Sequence, residues 1–78
     1  MPFYRKYPAI VDAEQFLHPA TAPRGVYVGE NGECWVVTMQ LQRVIVKPGE
    51  WIIKESDGVH YYPCADSEFK RLYEAEPL

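Results

Sequence analysis

Asn31-Gly32 stands between two apolar, β-branched arms, with Val26-Tyr27-Val28 before it and Trp35-Val36-Val37 after it. No other short stretch of this chain limits the backbone as tightly. A two-residue type I′ turn needs positive φ at both central positions, and Asn followed by Gly tolerates that. The pair predicts a hairpin with strands near 26–29 and 34–39. Two more turn signals follow, Pro48-Gly49 and Ser56-Asp57-Gly58. Proline presets φ at the first central position of a tight turn, and glycine accepts the positive φ of the second. In the later signal the glycine suits a left-handed bulge position.

The segments between these turns read as strands. Arg43, Ile45 and Lys47 alternate with Val44 and Val46, a period of two. Trp51 to Lys54 forms the next strand, and Val59 to Tyr62 returns antiparallel to it. Val59 and Tyr61 form the core-facing set, which puts His60 and Tyr62 on the opposite, wetter face. Upstream, AIVDAEQF carries Ile10, Val11, Ala13 and Phe16 and predicts a first strand. The proline-rich LHPATAPRG after it must be a loop.

Only the C-terminal segment changes period. In ADSEFKRLYEAE, Phe69, Leu72 and Tyr73 fall on one helical face. Asp66 sits where an N-cap belongs, and Pro77 closes the segment. The expected architecture is α+β: a small antiparallel β-meander, half-barrel-like, of about five or six strands with one C-terminal helix. The helix covers one sheet face or plugs the barrel.

Seventy-eight residues, 47% hydrophobic and 14% aromatic, make a single folded domain over 1–78. A core of this size supplies about 3–5 kcal/mol, so a staple is expected. The two cysteines, Cys34 and Cys64, form no CxxC pair, and with two histidines they make no zinc signature. No apolar run is long enough for a signal peptide or a membrane span. The cytoplasm is the expected compartment, where thiols stay free. Self-association is then the expected staple, most simply as a symmetric dimer. A net charge of −3 argues against general nucleic-acid binding, which needs a positive field to displace counterions.

The stretch GVHYYPCADSEF concentrates side chains that could do chemistry. A nucleophilic pair needs Cys64 within hydrogen-bond reach of His60. Four residues of extended chain, at roughly 3.3 Å each, separate them by about 13 Å. Pro63 cannot donate to a sheet ladder and is expected to end the last strand there. Cys64 then fills the strand–helix corner as a small thiol, and Cys34 is a buried one. No glycine-rich phosphate loop is present, and the carboxylates are scattered. The expectation is a binding module with no catalytic residue, no metal ligand and no cofactor.

The whole-chain pattern resembles a family of small, hypothetical proteins of tailed phages and prophages. The residues that carry the resemblance are Tyr4-Arg5-Lys6 with Pro8, Phe16, Gly49-Glu50-Trp51-Ile52-Ile53, Gly58 with Tyr62-Pro63-Cys64, and Phe69, Tyr73 and Glu74. The likeness is weak between 17 and 42. It implies a phage accessory product made in the host cytoplasm and acting on host pathways.

Three partners follow as expectations beyond the chain itself. The first is a small anionic ligand of nucleotide type, sequestered against host defence. It needs flat rings for a base and cations for phosphate, and Arg5, Lys6, Trp51, His60 and Tyr62 are the candidate residues. The expected location is the corner at Tyr62-Pro63-Cys64, beside the first helix amides. The second is a host enzyme or defence factor met through a sheet edge or the helix. The third is a minor structural place in the virion.

Overall fold

The computed structural model describes residues 11–73. The chain forms β1 (Ala13–Gln15), a short 3-10 turn (Pro19–Thr21), β2 (Tyr27–Val28), β3 (Cys34–Val37), β4 (Arg43–Ile45), β5 (Trp51–Lys54), β6 (Tyr61–Cys64) and α1 (Asp66–Leu72). The class is α+β, as the turn pattern and the change of period predict. The expected half-barrel, however, is two separate three-stranded antiparallel sheets, β1-β5-β6 and β2-β3-β4. The break falls between β4 and β5. The Pro48-Gly49 turn sends β5 away from β4 to lie between β1 and β6.

Strand parity makes three layers of these parts. Phe16 and Ile52 from the first sheet meet Cys34, Val36 and Val46 from the second, and all five are buried. This is the core, sealed on its rim by Ala22, Val26, Val44 and Tyr61. On the other face of the first sheet stand Trp51 and Ile53, with Tyr62 and Cys64 opposite them on β6. Helix α1 covers that face through Phe69, whose ring stacks on Trp51 at 4.1 Å and 6°. The outer face of the second sheet has no layer over it among the described residues.

The hairpins follow the sequence in position and differ in detail. Between β2 and β3, the Gly29 amide bonds the Glu33 carbonyl at 2.7 Å and the Gly32 amide bonds the Gly29 carbonyl at 3.1 Å. Only Gly32 has positive φ there (83°), so the loop is a three-residue turn with a glycine bulge instead of type I′. Asn31 is a turn residue of ordinary hand. The Pro48-Gly49 turn is as expected: the Glu50 amide bonds the Lys47 carbonyl at 3.1 Å. The β3–β4 loop carries the one positive-φ residue other than glycine among the described residues, Leu41 at 63°, 74% exposed.

Four further expectations are corrected. Val59 is 69% exposed and lies before β6, so it belongs to no core set. Pro63 does not end the last strand: it lies inside β6 opposite Ile52. Among the described residues β6 is an edge strand. The Glu55 amide bonds the His60 carbonyl at 2.8 Å. Counting on from that pair puts Pro63 at a non-hydrogen-bonded position, where its nitrogen faces away from β5. The helix stops at Leu72, because Tyr73 is extended, and Leu72 itself is 56% exposed. Finally, Ala65 is the N-cap and Asp66 makes no cap bond. The start of the first strand before Val11 and the closing Pro77 lie outside the described residues.

Candidate functional site

Trp51, Tyr62 and His60 are the expected ligand residues that fall within the described chain; Arg5 and Lys6 lie outside it. Two of the three are joined through the helix. The Trp51 ring lies on Phe69, and Phe69 stacks on Tyr73 at 4.9 Å. Tyr73 in turn borders Tyr62, whose hydroxyl is pushed up to about 12 by desolvation first and by Tyr73 second. Trp51, Phe69 and Tyr73 thus form one stack, with Tyr62 beside its end. The face expected to be wet at Tyr62 is half-buried, bordered by Tyr73 just beyond the helix.

The Trp51 indole N–H is also spoken for. It donates to Asp66 Oδ1 at 2.9 Å, and Gln15 Nε2 donates to the same oxygen at 3.3 Å. Lys70 pairs with the other oxygen at 3.1 Å. The Trp51 bond first and Lys70 second hold the Asp66 carboxyl below the ordinary carboxylate range. The carboxylate that sequence reasoning placed as a cap is therefore the clasp between sheet and helix.

His60 stands apart from this stack. The Asp57 Oδ1 atom accepts the Val59 and His60 amides, each at 2.9 Å. Asp57 Oδ2 lies 2.5 Å from His60 Nδ1. The imidazole is thus held to its own turn, and these bonds lower the Asp57 carboxyl to about 2, the His60 side chain contributing most. Burial pushes the Cys64 thiol up, and the nearby Glu68 and Glu50 carboxylates add to it. A thiol held in its protonated form is a poor nucleophile near neutral pH. Cys34 is buried and Cys64 partly exposed, both free. Among the described residues, no three His, Cys, Asp or Glu side chains gather as a metal-binding group. No helix there is long and apolar enough to cross a membrane.

A depression beside Tyr62 and Tyr73 is lined also by Val11, Asp12, Lys54, Glu55, Ser56 and Gly58. Among the described residues its one cation, Lys54, pairs with Asp12 at 3.5 Å. Glu55 adds a second carboxylate to the lining.

The feature that sequence reasoning missed lies on the outward face of the second sheet. Tyr27 on β2 pairs across the ladder with Trp35 on β3, and Trp35 with Ile45 on β4. The Tyr27 and Trp35 rings stack at 5.9 Å and 18°. The Arg43 guanidinium lies 3.8 Å from the centre of the Trp35 ring. Such a cation over a tryptophan is attracted by the ring quadrupole. Tyr27 remains 56% and Ile45 54% exposed. The signal was present as parity. Tyr27 and Trp35 stand at matching places in the two hairpin arms, and Arg43 and Ile45 are the outward members of an alternating strand.

Compared with known proteins, the chain matches no family model, no curated protein and no solved structure.

Proposed function

We propose that this chain is a non-enzymatic binding protein that acts by direct contact with another protein, met on the outward face of β2, β3 and β4. The observation that carries this reading is the outward ladder of exposed Tyr27 and Ile45 with half-buried Trp35 between them and Arg43 laid over it. Tyrosine, tryptophan and arginine are the residues that dominate protein interfaces. Their rings and guanidinium are already stacked here, so little side-chain freedom is lost on contact. The resemblance to phage accessory proteins supplies the setting: the host cytoplasm, with a host enzyme or defence factor as the partner. A nucleotide-type ligand at the strand–helix corner has less support, because Trp51, Tyr62 and His60 are engaged with Phe69, Tyr73 and Asp57.

The test is capture from host lysate with the wild-type chain and with a Tyr27→Ser/Ile45→Ser double variant of unchanged circular dichroism. The expected result is a partner that is retained by the first and lost by the second. Thermal shift against cyclic and linear nucleotides runs beside it. A nucleotide that stabilises both chains equally, with no partner sensitive to the face, overturns the reading.

A further inference from the structure

The same sheet has an edge whose chemistry is more selective than its face. The Val46 amide bonds the Cys34 carbonyl at 3.0 Å, and the Thr38 amide bonds the Gln42 carbonyl at 2.9 Å. Hydrogen-bonded positions alternate along an antiparallel ladder. Residues 42, 44 and 46 therefore turn their backbone groups toward β3, while Arg43 and Ile45 turn theirs away. Among the described residues, β4 has β3 as its one neighbour, and no backbone group takes the outward amides and carbonyls of Arg43 and Ile45. The open stretch ends at Lys47, whose amide is bonded by Glu50 Oε1 at 2.6 Å.

The side chains along this edge carry a charge pattern. Arg43, Ile45 and Lys47 share the outward parity and are all exposed. Among the described residues neither Arg43 nor Lys47 has an ion-pair partner. The Glu33 carboxylate lies over Gly29 on the β2 side, away from β4, and the Glu50 carboxylate closes the Lys47 end of the edge. Cations on an edge strand ordinarily keep other strands off. A second β4 paired antiparallel here would set cation against cation. The strand admitted is one of opposite charge.

We propose that β4 is the receiving edge for an extended acidic segment of the partner protein, added to the sheet as a further strand. The segment has the pattern acidic, any, apolar, any, acidic. Its two carboxylates face Arg43 and Lys47, and its apolar side chain lies on Ile45 beside Trp35. Backbone bonds to Arg43 and Ile45 supply affinity, and the alternating side chains supply selectivity. The guanidinium held over Trp35 offers its N–H fork to a bidentate carboxylate. This inference rests on the reading of the sheet as a protein-contact surface and names the chemistry of what it takes.

The experiment pans an unbiased display library of seven-residue peptides against the intact chain and against an Arg43→Glu/Lys47→Glu variant. The expected result is enrichment of the acidic–apolar–acidic pattern by the wild type and of a basic–apolar–basic pattern by the variant. The best acidic peptide, labelled and followed by fluorescence anisotropy, should bind the variant roughly tenfold or more weakly. Its affinity should fall as salt rises. Absence of any enriched pattern, or enrichment that survives the charge reversal, overturns the proposal. Preferential binding of a labelled single-stranded oligonucleotide also overturns it, as does a dimer in sedimentation that the reversal dissolves. Capture of a lysate protein that depends on Tyr27 and Ile45 but not on Arg43 and Lys47 keeps the face and rejects the edge.

Discussion

Trp51 donates its indole N–H to the Asp66 carboxylate across 2.9 Å, joining the first residue of β5 to the first residue of α1. The seven-residue helix has no buried residue of its own. A helix this short is marginal in water, and tertiary packing must hold it. The hydrogen bond, the Trp51–Phe69 stack and the Gln15 bond to the same Asp66 oxygen do so. Trp51→Ala removes the first two and should cost about 3 kcal/mol, the low end for a large aromatic, since Trp51 is half-buried. Trp51→Phe keeps a ring on Phe69 and should cost clearly less. Urea unfolding followed by circular dichroism orders the two. Asp66 contributes stability above the ordinary carboxylate value near 3.8, and loses it as pH falls through its lower folded value. In Trp51→Phe, an NMR titration should show the Asp66 midpoint moved upward. An unmoved midpoint would mean that Lys70 alone sets it.

The Asp57–His60 turn gives a second pH signature. The Asp57 carboxyl falls from 3.8 to about 2 on folding. A lowered carboxyl stabilises the fold above its unfolded value and loses that contribution as pH falls through the folded one. Wild-type stability should therefore drop between about pH 4 and pH 2 more steeply than that of Asp57→Asn. Melting temperatures taken across this window compare the slopes. Parallel slopes would show that Asp57 is not a source of the acid lability.

Leu41 holds φ at 63° in the β3–β4 loop with its side chain 74% exposed. The left-handed region costs a residue with a Cβ about 1–2 kcal/mol, and glycine adopts it freely at an entropic cost of about 0.5–1 kcal/mol. Leu41→Gly should therefore stabilise the chain by up to about 1 kcal/mol, or raise the melting temperature by roughly 4–8 °C. Thermal unfolding by circular dichroism measures it. A lower melting temperature would mean that the leucine makes contacts worth more than the strain.

Gly25 and Gly32 both have positive φ, at 93° and 83°, yet they differ in surroundings. A Cβ at Gly32 meets nothing within 4 Å, whereas one at Gly25 would lie 2.2 Å from the Tyr61 ring. Gly32→Ala should cost about 1 kcal/mol, from backbone strain alone. Gly25→Ala adds displacement of a ring that packs on the core, and should cost clearly more. Chemical denaturation of the two variants decides it, and equal losses would mean that Tyr61 yields without penalty.

What the sequence determined by itself was punctuation and parity. The turns at Gly32, Pro48-Gly49 and Gly58, the alternation of Arg43 to Lys47 and the change of period at the helix are local. They follow from the φ that a residue tolerates and from the repeat of a strand or a helix. Even there the local rule was incomplete, because the closing pair Gly29–Glu33 left three residues in the hairpin loop and gave the positive φ to Gly32 alone. Tertiary structure decided which strand each strand joined, and so divided the expected half-barrel into two sheets. It also decided that Pro63 could stay in a strand, since its nitrogen faces away from β5. Above all, it decided which aromatics remained open. Trp51 stacks on Phe69 of the helix and Tyr62 borders Tyr73 just beyond it, while Tyr27 and Trp35 face away from every described layer. No sequence period carries that difference. Exposure belongs to what packs against a residue, and here those neighbours lie far along the chain.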